Sequence, residues 1–468
     1  MTSSRSRSLF ALALVAAAAL GPADASGPVG VDRLPVSPRA IIGFEHDVDA
    51  STVTRLAATG ITHMVRLDSI DAVGVLGPAS AYTRIATWPD VAYVDEDSPI
   101  RFDNFGAKRD TNVNRARAGR GRLSRRYNGG GSVVAVIDTG IDATHPDLAG
   151  QVIKHVNFEP GWFFDMITDG VYSDRLVEAT GNPIDTYGHG THVAGIVAGT
   201  GAGGAGADFS GVAPGAKLVN LKIADIHQGV TCSVPCDFGW ELNALVAYEW
   251  LIENRNDPQF GNGIRIATNS WSVFEVDSGA EPITLIVKEA ARRGIINIFA
   301  AGNEGPDPGT VARGPNRLEE VITVAAACKT AGYTDTSRCA PGGIASFSSR
   351  GRQVDIAAPG VDIYSAMARA SVLSPIGGHE PPPGPGADPA FAGNVANYVA
   401  FSGTSMATPH VAGIVALMLQ ANPRLGRAQV EQILIDTAGD RGDPGFDTAF
   451  GYGLVNAYRA VLAAERAA

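Results

Sequence analysis

The chain has little charge, few aromatic residues and few cysteines. Charged residues make up 18% of its 468 positions and aromatic residues 7%. Asp and Glu (48) outnumber Lys and Arg (37), a net charge of -11 that disfavours nucleic acid or an anionic membrane as the partner. So low a charge density also disfavours a coiled coil. Hydrophobic residues (45%) and 56 glycines instead predict a compact chain with many tight turns, long enough for more than one domain.

The longest uncharged apolar run lies near the N-terminus and is short. Residues 9–20 follow Arg5 and Arg7 and precede an Ala-Asp-Ala sequence that ends at Ala25. Spanning a bilayer takes about 20 apolar residues, so this pattern indicates a signal peptide over residues 1–25 rather than a membrane anchor. We therefore expect a secreted protein, extracellular or periplasmic, with no membrane association after signal cleavage.

The four cysteines form two close pairs, Cys232 with Cys236 and Cys328 with Cys339. Disulfides persist in an exported chain, and three pairings are compatible with four cysteines. Proximity favours pairing within each close pair. The alternative is a four-thiolate metal site, but such sites usually show C-x2-C spacing and are disfavoured in an oxidising compartment.

Hydrophobic patterning divides the chain into two bodies. Residues 37–100 predict a small unit with the order β-α-β-β-α-β, and the polar, Arg-rich residues 101–131 predict a solvated linker. From Ser132 onward, short β-branched runs alternate with helical segments, which predicts a parallel α/β sheet covered on both faces. The predicted strands are 133–137, 218–223, 264–268, 295–300, 321–325 and 354–356, the helices include 240–253 and 283–293, and 375–393 is a predicted loop.

Three short segments carry residues suited to nucleophilic catalysis. VVAVIDTGID (133–142) ends a buried strand with Asp138, GHGTHVAGIVAG (188–199) begins a helix at His189, and SGTSMATPHVAG (402–413) places Ser405 at a helix start. A serine nucleophile needs an imidazole base and a carboxylate that orients the imidazole, and these residues supply all three groups. Pro409 is expected in the first turn of the serine helix, where a missing N–H is tolerated.

These segments resemble the signatures of the subtilisin-like serine proteases, whose chain order is also Asp, His, Ser. The resemblance implies a serine endopeptidase that hydrolyses proteins or peptides through an acyl-enzyme, on a subtilisin-like α/β fold with a mostly parallel sheet flanked by helices. The segment IFAAGNEG (298–305) resembles the family's oxyanion segment. It implies that Asn303 and the backbone N–H of Ser405 bind the oxyanion.

The resemblance extends to the N-terminal unit, which looks like the family's inhibitory propeptide, a small ferredoxin-like α+β domain. It implies a self-processing zymogen with a propeptide at 26–107, a peptidase domain at 108–468 and a mature N-terminus between Ile100 and Asn112. The propeptide would then act as an intramolecular inhibitor, and we expect a monomer.

Substrate and ion sites are also implied, with two departures from the family. Ser270, Trp271, Ser272 and Gly302 would contact the substrate, although Ser272 stands where glycine is usual. The chemistry needs no cofactor. Calcium is the family's common stabilising ion and Asp147 matches a ligand position, yet residues 200–209 offer only the carboxylate of Asp208, so this site looks incomplete. A calcium ion elsewhere remains open.

Other classes fit the sequence less well. GTGAGG (199–204) matches a dinucleotide fingerprint, but it follows a helix rather than a strand. His189 and His192 have the spacing of a zinc pair without a third ligand, so His192 is expected to pack or hydrogen-bond. An esterase would show G-x-S-x-G, where this chain has Ala407. A non-catalytic relative would be expected to have lost a functional position.

Overall fold

The computed structural model describes residues 39–61, 63–67, 72–96, 108, 110–158, 184–203, 209–226, 237–239, 241–272, 282–311, 314–330, 338–369 and 397–467. The chain divides into two units, Met1–Ile100 and Arg101–Ala468. The predicted signal peptide and the predicted loop at 375–393 lie outside the described residues. Within them, no helix combines the length and apolar character needed to cross a membrane.

The first unit has the predicted order of elements. They are β1 (Arg39–Phe44), α1 (Ala50–Ala57), β2 (His63–Leu67), β3 (Ala72–Leu76), α2 (Ala79–Ile85) and β4 (Val91–Glu96). The strands form an antiparallel sheet in the order β2-β3-β1-β4. Asp49 begins α1 by accepting the Thr52 N–H at 2.8 Å. The helices pack on the sheet through a core that includes Ile42, Leu56 and Tyr82.

The second unit is built on a parallel sheet, as predicted. Its seven strands are β5 (Val133–Asp138), β6 (Val152–Asn157), β7 (Lys217–Lys222), β10 (Ile264–Asn269), β11 (Ile296–Ala300), β12 (Val321–Ala327) and β13 (Ile356–Pro359), in the order β13-β12-β11-β10-β5-β7-β6. Among the described residues, two antiparallel strand pairs lie outside this sheet, β8 (Ala224–Ile226) with β9 (Asp237–Gly239) and β14 (Ile363–Ala366) with β15 (Tyr398–Phe401).

Helices cover both faces of the parallel sheet. The helices are α3 (Val113–Arg117), α4 (His189–Ala198), α5 (Glu241–Asn254), α6 (Pro282–Arg292), α7 (Thr404–Ala421), α8 (Arg427–Thr437) and α9 (Ala457–Arg466), with short 3-10 turns at Pro258–Phe260 and Gly314–Arg317. Every residue of β5 is buried. Val134 and Val136 share a core with α4, α7 and α9, whereas Val133 and Ile137 face α5 and α6. Burial on both faces explains the continuous apolar runs in the sequence.

The strands that the sequence did not predict are short or lie at an edge. β6 lies at one edge of the sheet, and its partly exposed Val-Ile-Lys-His-Val-Asn pattern lacks an apolar run. The two antiparallel strand pairs have strands of three or four residues each. Such strands depend on their neighbours more than on their own composition.

The predicted linker is wrong where the structure describes it. Val113, Leu123 and Tyr127 are buried in the core of the second unit, so residues 110–131 are part of that unit. The Arg115 guanidinium lies 3.7 Å from the centroid of the Tyr458 ring in α9. Arginine stems and planes pack on apolar and aromatic surfaces, so an Arg-rich composition did not require solvation here.

One predicted disulfide is confirmed. Cys328 and Cys339 are bonded with their Cα atoms 6.2 Å apart. The other pair, Cys232 and Cys236, lies outside the described residues.

Candidate active site

Asp138 and His189 meet at the carboxyl end of the parallel sheet. Asp138 is the last residue of β5 and His189 the first of α4. His189 Nδ1 lies 2.8 Å from Asp138 Oδ1, with the carboxylate side chain 3% exposed and the imidazole 13% exposed. Oδ1 also accepts the Thr139 N–H at 2.8 Å. The carboxylate is thus shielded from water, while the imidazole can still be reached from outside.

Glycines on either side of His189 allow this approach. Gly188 has φ 109°, a backbone conformation that favours glycine. A Cβ on Gly190 would lie 2.2 Å from the Gly140 carbonyl oxygen and 3.1 Å from Asp138. Any larger residue at position 190 would therefore push α4 away from the end of β5.

Ser405 is the second residue of α7, the helix that packs against α4. Its hydroxyl donates to the Ser270 carbonyl at 3.2 Å, and the Ser270 hydroxyl donates to the Ser405 carbonyl at 2.9 Å. Pro409 lies four residues after Ser405, as the sixth residue of the helix, so the prediction of a first-turn proline is wrong. It removes the N–H that would bond the Ser405 carbonyl, and the Ser270 hydroxyl takes that place.

Asn303 contacts the residue just before Ser405. Its Oδ1 accepts both the backbone N–H and the hydroxyl of Thr404, each at 3.0 Å. This fixes the amide so that Nδ2 points away from Thr404. A Cβ on Gly403 would lie 3.7 Å from Asn303 Nδ2 and 3.6 Å from the Ser405 backbone nitrogen, so the two nitrogens flank one small space.

The predicted substrate segment contacts both the start of α7, which carries Ser405, and the end of β5, which carries Asp138. Ser270 contacts Ser405, and the Trp271 indole N–H donates to the Ile137 carbonyl at 3.0 Å, one residue before Asp138. Asn269, just before Ser270, pairs with Ile137 in the sheet. These contacts bring the serine helix beside the strand end that carries Asp138.

The other predicted substrate residues lie at the same edge. Ser272 follows Trp271 and is partly exposed. Gly302 is buried with φ 104°, and its N–H donates to the Thr404 hydroxyl at 3.3 Å. The structure thus places Ser270 and Gly302 against the first residues of α7, and Trp271 against the end of β5.

Sequence reasoning missed Asp185, which lies in the centre of this region. Its side chain is fully buried and accepts hydrogen bonds from Thr139, Gly188 and Thr191. The only signal in the sequence was an acidic residue four positions before His189. That signal is weak, because a lone aspartate in a loop usually faces water.

His192 has the predicted structural role. It stacks on Phe401 with ring centroids 4.4 Å apart, and Nε2 contacts the carbonyls of Ile363 and Val399. Burial lowers its pKa to about 3, so it is neutral at physiological pH. No group of three or more His, Cys, Asp or Glu residues in the described ranges is arranged to hold a metal ion.

One oxygen of Asp147 is already occupied by hydrogen bonds at the position where calcium is implied. Its Oδ1 accepts the Gly203 N–H at 2.6 Å and the Tyr398 hydroxyl at 2.9 Å. Burial, together with Asp147, raises the pKa of Tyr398, which keeps that hydroxyl protonated and donating. Calcium needs oxygen lone pairs, whereas both neighbours direct hydrogens at this oxygen. Asp208, the other carboxylate considered, lies outside the described residues.

The chain is similar to known serine proteases. The subtilase family model matches residues 129–453. The serine protease AprX of Bacillus subtilis is 34% identical over 350 residues, covering 73% of this chain and 68% of the relative. Subtilisin E of the same organism is 29% identical over 96% of both chains, and fervidolysin of Fervidobacterium pennivorans is 32% identical over 71% of this chain and 41% of its own.

The chain therefore belongs to the subtilase family. It is a serine-type endopeptidase, and its substrates are proteins or peptides.

Proposed function

We propose that the chain is a secreted endopeptidase, made as a self-processing zymogen, in which Asp138, His189 and Ser405 form the catalytic triad. The observation that carries the proposal is the 2.8 Å contact between Asp138 Oδ1 and His189 Nδ1 at the edge where Ser270 holds Ser405. A carboxylate on Nδ1 leaves Nε2 as the basic nitrogen.

In the proposed reaction, Ser405 Oγ attacks the scissile carbonyl while His189 Nε2 takes its proton. His189 then protonates the leaving amine, and water hydrolyses the acyl-enzyme with the same base. The Ser405 hydroxyl first has to leave the Ser270 carbonyl, a contact of 3.2 Å that is long for an O–H···O bond. Catalytic hydrogen bonds commonly tighten only when substrate is bound.

Asn303 and the start of α7 would stabilise the oxyanion. Thr404 orients the Asn303 amide so that Nδ2 can donate, and Ser405 supplies a backbone N–H from the first turn of an 18-residue helix. First-turn N–H groups have no acceptor within the helix and lie at the positive end of its dipole. Both donors therefore suit a carbonyl oxygen that gains negative charge.

The segment from Ser270 to Ser272 would bind the substrate backbone as an added strand. It continues from β10, and Asn316 Nδ2 donates to the Trp271 carbonyl at 3.2 Å, which keeps the segment in place. An extended peptide can pair with such a segment through main-chain hydrogen bonds. The Ser272 hydroxymethyl would then narrow the first specificity pocket relative to glycine.

Contacts near residue 108 support the boundary between propeptide (26–107) and peptidase domain (108–468). Lys108 is buried in the second unit and donates to the Ser210 carbonyl at 2.8 Å, and Asp110 accepts the Thr330 N–H at 2.6 Å. Cleavage before Lys108 would keep these contacts, and cleavage after Asp110 would break both. The N-terminal unit would act as intramolecular inhibitor until its removal, and the released enzyme would be a monomer.

The test is expression of the wild type and Ser405→Ala in a protease-deficient host. We expect the wild type to lose its N-terminal unit and to cleave casein until a serine-directed phosphonate is added. Ser405→Ala should be exported as the uncleaved proform. Normal processing of Ser405→Ala would overturn self-cleavage, and casein hydrolysis indifferent to the phosphonate would overturn the triad.

A further inference from the structure

The carboxylate of Asp185 is surrounded by hydrogen-bond donors. Oδ1 accepts the Thr139 hydroxyl at 2.9 Å and the Gly188 N–H at 2.7 Å. Oδ2 accepts the Thr191 N–H at 2.8 Å and the Thr191 hydroxyl at 2.7 Å. The side chain is fully buried, so these four hydrogen bonds replace the hydration that the carboxylate would have in solvent.

These donors belong to the residues that flank the proposed catalytic pair. Thr139 follows Asp138, and Gly188 precedes His189. The Thr139 hydroxyl oxygen also accepts the Gly190 N–H at 2.9 Å. A single carboxylate thus ties the end of β5 to the backbone on both sides of His189.

A buried lysine completes the arrangement. Lys222, only 1% exposed, donates from Nζ to the Thr139 carbonyl at 2.5 Å and to the Ala224 carbonyl at 2.9 Å. Burial raises the pKa of Asp185, whereas the hydrogen bonds from Thr191 and Gly188 and the charge of Lys222 act in the opposite direction. Since each carboxylate oxygen faces a backbone N–H, the acceptor-only ionised form fits this pocket.

We propose that Asp185 is a positioning residue for catalysis, which holds the His189 imidazole against Asp138 by fixing Thr139 and the start of α4. The inference rests on the proposed function. Asp185 acts through Thr139 and the backbone and touches neither substrate nor the reacting atoms. A small displacement of a general base lowers the rate steeply, so rigidity here affects turnover rather than binding.

Asp185→Asn tests the carboxylate with almost no change in size. The asparagine side chain has an NH2 donor in place of one carboxylate oxygen. In one orientation of the amide this donor faces the Gly188 N–H, and in the other it faces the Thr191 N–H. One backbone donor is then left unpaired in a buried site. We expect kcat on a peptide substrate to fall about 10- to 100-fold with KM within about twofold of wild type.

Thr139 provides a second test that does not depend on the stability of the Asp185 variant. Thr139→Val removes the hydroxyl at constant shape, and Thr139→Ser keeps it. We expect kcat to fall about tenfold in the valine variant and to stay within about twofold of wild type in the serine variant. Tyr398→Phe is the matched control, since it removes a hydrogen bond from the buried Asp147 instead, and it should keep kcat.

A spectroscopic measurement tests the geometry without activity. In the Ser405→Ala background, which prevents self-digestion, the low-field Nδ1–H proton of His189 can be assigned by its loss in His189→Ala. We expect Asp185→Asn to shift or broaden this resonance and Tyr398→Phe to leave it unchanged.

An unchanged resonance together with unchanged kcat in Asp185→Asn would overturn the positioning role. So would equal losses in Thr139→Ser and Thr139→Val. Failure of the proposed function is a separate result, since it would appear as phosphonate-resistant or absent hydrolysis by the wild type. The resonance would still decide whether Asp185 sets the imidazole.

Discussion

The N–H groups at the starts of α4 and α7 are bonded by different kinds of side chain. Each helix follows a glycine that makes no side-chain cap, and each carries a proposed catalytic residue in its first turn. At α4 the carboxylate of Asp185 accepts the nearby N–H groups. At α7 the neutral amide of Asn303 accepts the Thr404 N–H.

The proposed reaction accounts for this difference in charge. His189 becomes cationic when it takes a proton, and a negative carboxylate at that helix start favours the cation. At α7 the substrate oxygen becomes anionic, so a carboxylate there would repel the transition state. Helix starts attract negative charge in general, and of these two helix starts the one that carries the carboxylate is the one away from the proposed oxyanion site.

The largest effect is expected at the α4 side of this comparison. Asp138→Asn should lower kcat roughly 10⁴-fold, because the amide no longer holds the imidazole tautomer that accepts the serine proton. Burst kinetics with an ester substrate measure it, and circular dichroism checks that the fold is retained. A loss below tenfold would show that the 2.8 Å contact does not orient the base.

The amide at α7 should contribute less than the Asp138 carboxylate. Asn303→Ala should lower kcat about 10²- to 10³-fold, as expected for one oxyanion donor. Asn303→Asp can still accept from Thr404 but adds a negative charge, so it should be slower than the alanine variant. Steady-state kinetics decide the order, and an aspartate variant as active as wild type would refute the electrostatic account of the comparison.

A pH effect is expected from His192, one turn along α4 from His189. Burial lowers the pKa of His192 to about 3 in the folded protein. Below the ordinary pKa of 6.5 the unfolded state therefore binds one more proton than the folded state, and the free energy of unfolding decreases as the pH is lowered. From pH 7 to pH 5 this costs about 2 kcal/mol. Urea unfolding in the Ser405→Ala background measures this loss at the two pH values. Because glutamine does not titrate, the His192→Gln protein should lose about 2 kcal/mol less stability than the protein with His192. Equal losses in both proteins would show that His192 does not titrate on unfolding.

The smallest effect is expected at the carbonyl of Ser405. Ser270→Ala removes the hydroxyl that replaces the N–H missing at Pro409, and it should cost about 1–2 kcal/mol of stability. In a Pro409→Ala background the restored N–H can bond this carbonyl, so the same substitution should cost less. Thermal unfolding of the four proteins measures the coupling. If the stability changes of Ser270→Ala and Pro409→Ala are additive, the Ser270 hydroxyl does not replace the N–H that is missing at Pro409.

Local patterns predicted the strands with continuous apolar runs and several of the helices, whereas α8 and α9 were not predicted. The predicted strand at 133–137 and the predicted helix at 240–253 follow from apolar runs and helical spacing, and they appear as Val133–Asp138 and Glu241–Asn254. Edge strand β6 and the packed Arg-rich segment were missed, because their structure comes from contacts with distant parts of the chain. Arg115 lies on Tyr458, more than three hundred residues away.

The sequence by itself determined which residues could perform the chemistry, because Asp138, His189, Ser405 and Asn303 stand in short motifs whose glycines and helix starts are local features. Only the tertiary structure decided how these residues are held. Three contacts of buried polar groups illustrate this. Asp185 accepts the Thr139 hydroxyl, the Ser270 hydroxyl takes the place of a helix N–H, and the Tyr398 hydroxyl donates to Asp147. A buried polar atom needs a hydrogen-bond partner, and the partner is often far away in the sequence. The spacing of residues along the chain therefore does not predict which groups will pair.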